Sequence, residues 1–165
     1  LKVFCVLIIC STLSGCAYNE YDRFSSGEEV KEPTGAKHMN ERLKYNQLAK
    51  IQREVHERFR YISDISKYGK IEHWPLFEEI PETGIFKDDC DGFVQMFRKE
   101  LDKVGEKSII QLVGINSNTV NHAVCRYGDW LIDNTHISPV RRTDVPEWTF
   151  IKHSNDDTTK WYKTK

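Results

Sequence analysis

Leu48, Ile51, Val55 and Phe59 recur at three- and four-residue intervals with charged residues between them, which predicts an amphipathic helix. It is expected to start at Asn40, as N-cap with Glu41 in the first turn, and to end before Tyr61-Ile62-Ser63-Asp64. A second stripe, Phe93/Val94, Phe97, Leu101 and Val104, predicts a helix beginning near Cys90, capped by Asp88 or Asp89 and ended by Gly105. Between the two, residues 68–86 are aromatic-rich and carry Pro75, Pro81 and Gly84, so they read as an irregular loop. Loops of this length in small domains serve function or cover a site.

Beyond Gly105 the pattern changes. Ser108 to Ile115 reads as a strand, followed by the polar turn Asn116-Ser117-Asn118-Thr119. His122-Ala123-Val124-Cys125-Arg126 and Asp129-Trp130-Leu131-Ile132-Asp133 flank Tyr127-Gly128 and predict a hairpin. A turn at Tyr127-Gly128 makes His122 and Asp133 direct cross-strand neighbours, with Cβ atoms about 4.5–5.5 Å apart. A slip of one residue would send them to opposite faces.

The composition, 39% hydrophobic and 12% aromatic over 165 residues, supports one core and no second domain. The formal charge is −1, with Lys and Arg scattered among acids, which argues against a nucleic-acid partner. The first sixteen residues differ from the rest. The apolar run from Val3 to Cys10 is too short to span a bilayer and has the size of a signal-peptide core. Leu13-Ser14-Gly15-Cys16 matches the lipobox of bacterial lipoproteins, whose cysteine is acylated; the competing account is a buried element of the fold. The expected organisation is a signal peptide over 1–16, a flexible tether over 17–39, a domain over 40–153 and a polar tail over 154–165. A lipid-anchored, periplasm-facing protein follows, with Ala17 after the cysteine favouring the outer membrane.

Removing Cys5, Cys10 and Cys16 from the count leaves Cys90 and Cys125 in the domain. Cys125 sits among apolar residues and is expected in the core. Cys90 is expected at a helix N-terminus, where backbone N–H groups favour the nucleophilic thiolate. His122 is the candidate base and Asp133 the carboxylate that orients it. His38 and His153 fall in expected tails, His56 lies on a charged helix face, and His73 and His136 could line the site but have no placed partner; all five read as surface residues. Asp88, Asp89 and Asp91 oppose thiolate formation unless helix N–H groups or a cation neutralise them. Calcium suits such carboxylates, and Asp64 is a further candidate ligand with Asp89 and Asp91; the alternative is simple first-turn preference for Asp.

Val55, Tyr61, Asp64, Trp74-Pro75, Asp89-Cys90-Asp91, His122-Ala123-Val124 and Leu131-Ile132-Asp133-Asn134 together resemble the bacterial transglutaminase-like cysteine peptidases, over about residues 45–140. The resemblance implies an α+β, papain-like fold in which a helix carrying Cys90 packs on an antiparallel sheet carrying His122 and Asp133. It implies amide hydrolysis of a protein or peptide through a Cys90–His122–Asp133 triad, and calcium near Asp89 and Asp91. Gly92 departs from the pattern, because the family usually has a further Asp there. Asp89-Cys90-Asp91-Gly92-Phe93-Val94 is also similar to the nucleophile block of NlpC/P60 peptidoglycan endopeptidases. Aspartate after the cysteine and the Leu131-Ile132-Asp133-Asn134 ending favour the first family. A third alternative is a lipoprotein that keeps the shape but acts only as a binding module.

Overall fold

The computed structural model describes residues 43–164. The expected signal peptide and tether, with Cys16, His38 and Asn40, lie outside the described residues. Helix α1 runs Tyr45–Arg58, and its first turn is ordered by the Gln47 side chain, which accepts the Lys44 N–H at 2.9 Å. It therefore begins after Lys44, later than the expected Asn40 cap. Its buried face is Leu48, Gln52 and Val55, so a polar residue shares the stripe with apolar ones. The chain passes straight into β1 (Phe59–Tyr61), which pairs in parallel with β2 (Phe86–Asp88) and sets Tyr61 opposite Asp88. Between them lie the short α2 (Asp64–Tyr68), closed by Gly69 at φ 68°, and one 3₁₀ turn at Phe77–Glu79. The rest of the expected loop is irregular.

Helix α3 (Cys90–Lys103) starts at the expected residue. Phe93, Val94, Met96, Phe97 and Leu101 are all fully buried. Each contributes about 1.5–3 kcal/mol of burial, which fixes the helix on the sheet. Val104, expected on this stripe, is exposed because the helix unwinds there before Gly105.

The sheet is six-stranded and antiparallel, in the order β6-β5-β4-β3-β7-β8. Its strands are β3 (Ile109–Ile115), β4 (His122–Tyr127), β5 (Trp130–Ile132), β6 (Val140–Arg141), β7 (Trp148–Ser154) and β8 (Trp161–Lys163). Alternation along β4 divides the core. Ala123, Cys125 and Tyr127 join the apolar residues of α3, whereas Val124 joins Val113, Leu131, Val145 and Trp148 in a second cluster. The stretch expected as a polar tail supplies the edge strand β8, with Trp161 opposite Ser154 and edge-on to Trp74 at 6.5 Å. Two apolar rings in an otherwise polar segment suffice to hold it to the core.

The hairpin forms, with a different turn. Tyr127 pairs with Trp130, so the turn is Gly128-Asp129, and Gly128 has φ 58°. Glycine at the first central position is the demand of a type II′ turn. Tyr127 stays in the strand because its ring is fully buried and its hydroxyl donates to Glu106 at 2.8 Å. The register thereby slips by two residues from the expected one, an even number that keeps the alternation of faces. Asp133 falls past the last paired residue, Ile132, so it is not the direct cross-strand partner of His122 that was expected.

Candidate active site

Strand β5 ends at Ile132, and the chain turns away from the sheet at Asp133. There the buried carboxylate meets the buried ring of His122, the first residue of β4: His122 Nε2–H donates to Asp133 Oδ2 at 2.7 Å. A carboxylate only accepts, so the ring proton sits on Nε2 and Nδ1 is left as the acceptor. Thr135 Oγ1 donates to the same oxygen at 2.5 Å. The other oxygen, Oδ1, takes the His136 N–H at 3.1 Å and the His136 Nδ1–H at 2.9 Å. Burial alone would raise the Asp133 pKa, but the bonds from His122, then His136 and Thr135, reverse this and hold the carboxyl well below the usual range. The same contact raises the pKa of His136, against the opposing effect of its partial burial.

Helix α1 pins this turn. Gln52 Nε2 donates to the carbonyls of Asp133 at 3.2 Å and His136 at 2.6 Å, and His56 Nε2–H donates to the His136 carbonyl at 2.7 Å. Trp148 stands edge-on to both His122 and His136, each at 5.6 Å. Sequence reading found His122 and Asp133 but placed His56 and His136 on the surface, and it passed over Gln52 and Trp148. The signals were the three-residue step from Asp133 to His136 and the four-residue step from Leu48 to Gln52.

Cys90 opens α3, the helix that packs on β4 and α1. Asp89 caps the helix, its Oδ1 accepting the Asp91 N–H at 3.2 Å. Cys90 and Cys125 are both free thiols. Cys125 is wholly buried, which pushes its thiol up to about 11 despite Ser108 and Arg98 nearby, so it is a core residue. That leaves Cys90, at 4% exposure on a helix N-terminus, as the candidate nucleophile.

The parallel pairing of β1 with β2 brings Asp64, just past β1, to Asp88 at the end of β2. Asp89 and Asp91 follow on the start of α3, and one oxygen from each of the four buried aspartates lies within 4.8 Å of the others. Both Asp91 oxygens and Asp64 Oδ1 meet no hydrogen-bond donor, while Asp64 Oδ2 accepts the His73 N–H. Burial, reinforced by Asp89 and Asp88, pushes the Asp64 carboxyl up to about 8, and burial with Asp89 and Glu72 raises Asp91. Buried carboxylates short of donors require protons or a cation. Oxygen-only ligands of this density suit calcium, so the residues present fit the ion. The three expected ligand candidates, Asp64, Asp89 and Asp91, are thus brought together, and Asp88 joins them.

The family model described as bacterial transglutaminase-like cysteine proteinase BTLCP matches residues 12–165. No curated protein matches the sequence. Among solved structures, Legionella pneumophila LapG is similar in fold. Its calcium-bound form is 16% identical with a TM-score of 0.58, covering 72% of this chain and 68% of that one. Another LapG structure is 18% identical with a TM-score of 0.57 over 73% and 68% of the two chains. The EGTA-treated form is 17% identical at 0.58 over 73% and 67%. The family match decides between the two resemblances in the nucleophile block. A helix-borne Cys90, a buried His–carboxylate pair and a family match over nearly the whole chain lead to one statement: this chain belongs to the bacterial transglutaminase-like cysteine proteinases.

Proposed function

We propose that the chain hydrolyses peptide bonds of an envelope or surface protein with Cys90, His122 and Asp133 as its triad. The observation that carries this reading is the buried 2.7 Å bond between His122 and Asp133, which leaves His122 Nδ1 to serve as the base. His122 takes the Cys90 thiol proton, and the thiolate attacks the substrate carbonyl carbon while the Cys90 N–H donates to the oxyanion. The proton passes to the departing amine, leaving a thioester. Water, deprotonated by His122, then releases the acid and regenerates the thiol. Asp133 holds the tautomer and supports the imidazolium.

Calcium is proposed as the resident ion, supported by the donor-poor aspartates and by a calcium-bound relative of the same fold. Asp64, Asp88, Asp89 and Asp91 would hold it, and it would supply positive charge beside the nucleophile helix. The Leu13-Ser14-Gly15-Cys16 block supports a lipid anchor on Cys16 at the periplasmic side of the envelope. Loss of lipid-analogue incorporation in Cys16→Ser tests that part.

The experiment for the reaction incubates the full chain with periplasm-exposed proteins and, separately, with purified peptidoglycan. Protein cleavage abolished by Cys90→Ser and His122→Ala is the expected result. Cleavage of peptidoglycan alone, or protein cleavage that survives Cys90→Ser, overturns it.

A further inference from the structure

Gly92 lies in the first turn of α3 and is buried. Glycine is unfavourable in a helix relative to alanine, so this position needs a compensating reason. The reason lies in the preceding turn of chain. A Cβ on residue 92 would fall within 3.0 Å of Asp88 Cβ, Cγ and Oδ2. The Asp88 side chain therefore occupies the volume in which a side chain at 92 would begin.

Asp88 is held there from several directions. Lys67 Nζ and the Tyr68 hydroxyl each reach Oδ2 at 3.1 Å, and the Asp89 N–H donates to Oδ1 at 3.0 Å. So placed, its carboxylate completes the group with Asp64, Asp89 and Asp91. The donor-less oxygens of the wholly buried Asp91 point independently to a cation within that group. Lys67 is a quarter exposed and offsets one of the four charges, which leaves the cluster strongly anionic.

We propose that Asp88 is a calcium ligand of this chain and that Gly92 is the residue that admits it. Acid and glycine form a matched pair: a side chain at 92 and a carboxylate at 88 exclude one another. The inference rests on the calcium reading above, and the test separates the two.

Calcium chloride is titrated calorimetrically into the chelator-stripped full chain, with circular dichroism reporting the fold. Asp88→Asn keeps the shape and removes the charge, and its calcium Kd is expected to rise about tenfold or more. Gly92→Ala removes no charge and favours the helix, yet it is expected to weaken calcium by a similar factor because its methyl displaces Asp88. Exchanging the pair, Asp88→Gly with Gly92→Asp, is expected to return the Kd to within about threefold of wild type, since carboxylate count and volume are restored. Wild-type affinity in folded Asp88→Asn and Gly92→Ala overturns the inference and leaves the calcium reading intact. A wild-type chain that takes up no calcium overturns both. If Asp88→Asn fails to fold, Gly92→Ala and the exchanged pair decide: an exchanged pair no better than Gly92→Ala overturns the inference.

Discussion

Asp133→Asn is the most exacting perturbation of the site, because it keeps the side chain's shape and removes its charge. The amide oxygen can replace Oδ1 and still accept both donors of His136. Its NH₂ then faces His122 Nε2, where a 2.7 Å bond to a carboxylate had been. Nε2 must become the acceptor, and the ring proton moves to Nδ1, the nitrogen meant to take the thiol proton. A hydrogen bond to a charged group is worth about 1.5–3 kcal/mol. At about 1.4 kcal/mol per unit, its loss raises the pH midpoint of Cys90 alkylation by roughly one to two units. Peptide hydrolysis suffers more, by about 10³–10⁴-fold, since the wrong tautomer cannot act as the base. The assay is the pH profile of iodoacetamide labelling on wild type and variant, with circular dichroism to confirm the fold. Midpoint is preferable to rate at one pH, because a less acidic thiolate is also the better nucleophile and masks part of the change. A folded variant with an unmoved midpoint would refute the reasoning. An ordinary thiol profile in wild type itself would make Cys90 structural and favour a binding module.

Three further outcomes follow from the same geometry. The pKa of His136 is raised above the ordinary 6.5 by Asp133, so its stabilising contribution is full below that value and fades as pH rises through the raised one. The Tm gap between wild type and His136→Gln should therefore hold below pH 6.5 and narrow above it, and a gap that widens as pH rises contradicts the bond. With Asp64 raised from 3.8 to about 8, the folded chain binds the extra proton in that window and loses stability as pH climbs across it. Calcium displaces such protons, so its Tm increment should be larger at pH 8 than at pH 5; equal increments would argue that the ion sits elsewhere. Gln52→Leu takes the side-chain donor from the buried Asp133 carbonyl and leaves the His136 carbonyl with His56 alone, at a cost of about 1–3 kcal/mol by urea unfolding, and a neutral result would remove Gln52 from the support of the site.

Local sequence determined a good deal of this protein. The stripe from Phe93 to Leu101 and the aspartate before Cys90 define a capped helix wherever they are placed, because capping and periodicity are properties of consecutive residues. Alternation predicted that His122 and Asp133 would meet, and their contact survived a wrong turn because the two-residue slip preserves the alternation that repeats every two residues. The turn itself was not legible: Tyr127 belongs to the strand only because a core exists for its ring. The same holds for Trp161, whose edge strand depends on a partner strand and a core surface supplied by distant chain. His136 and Gln52 gained their roles from contacts between α1 and the turn after β5, about eighty residues apart in sequence, which no local pattern encodes. Parallel pairing of β1 with β2 likewise decided that Asp64 meets Asp88, Asp89 and Asp91. Sequence set the chemistry available at each position; long-range packing chose which groups share a buried, low-dielectric volume, and there charge and hydrogen bonding acquire their strength.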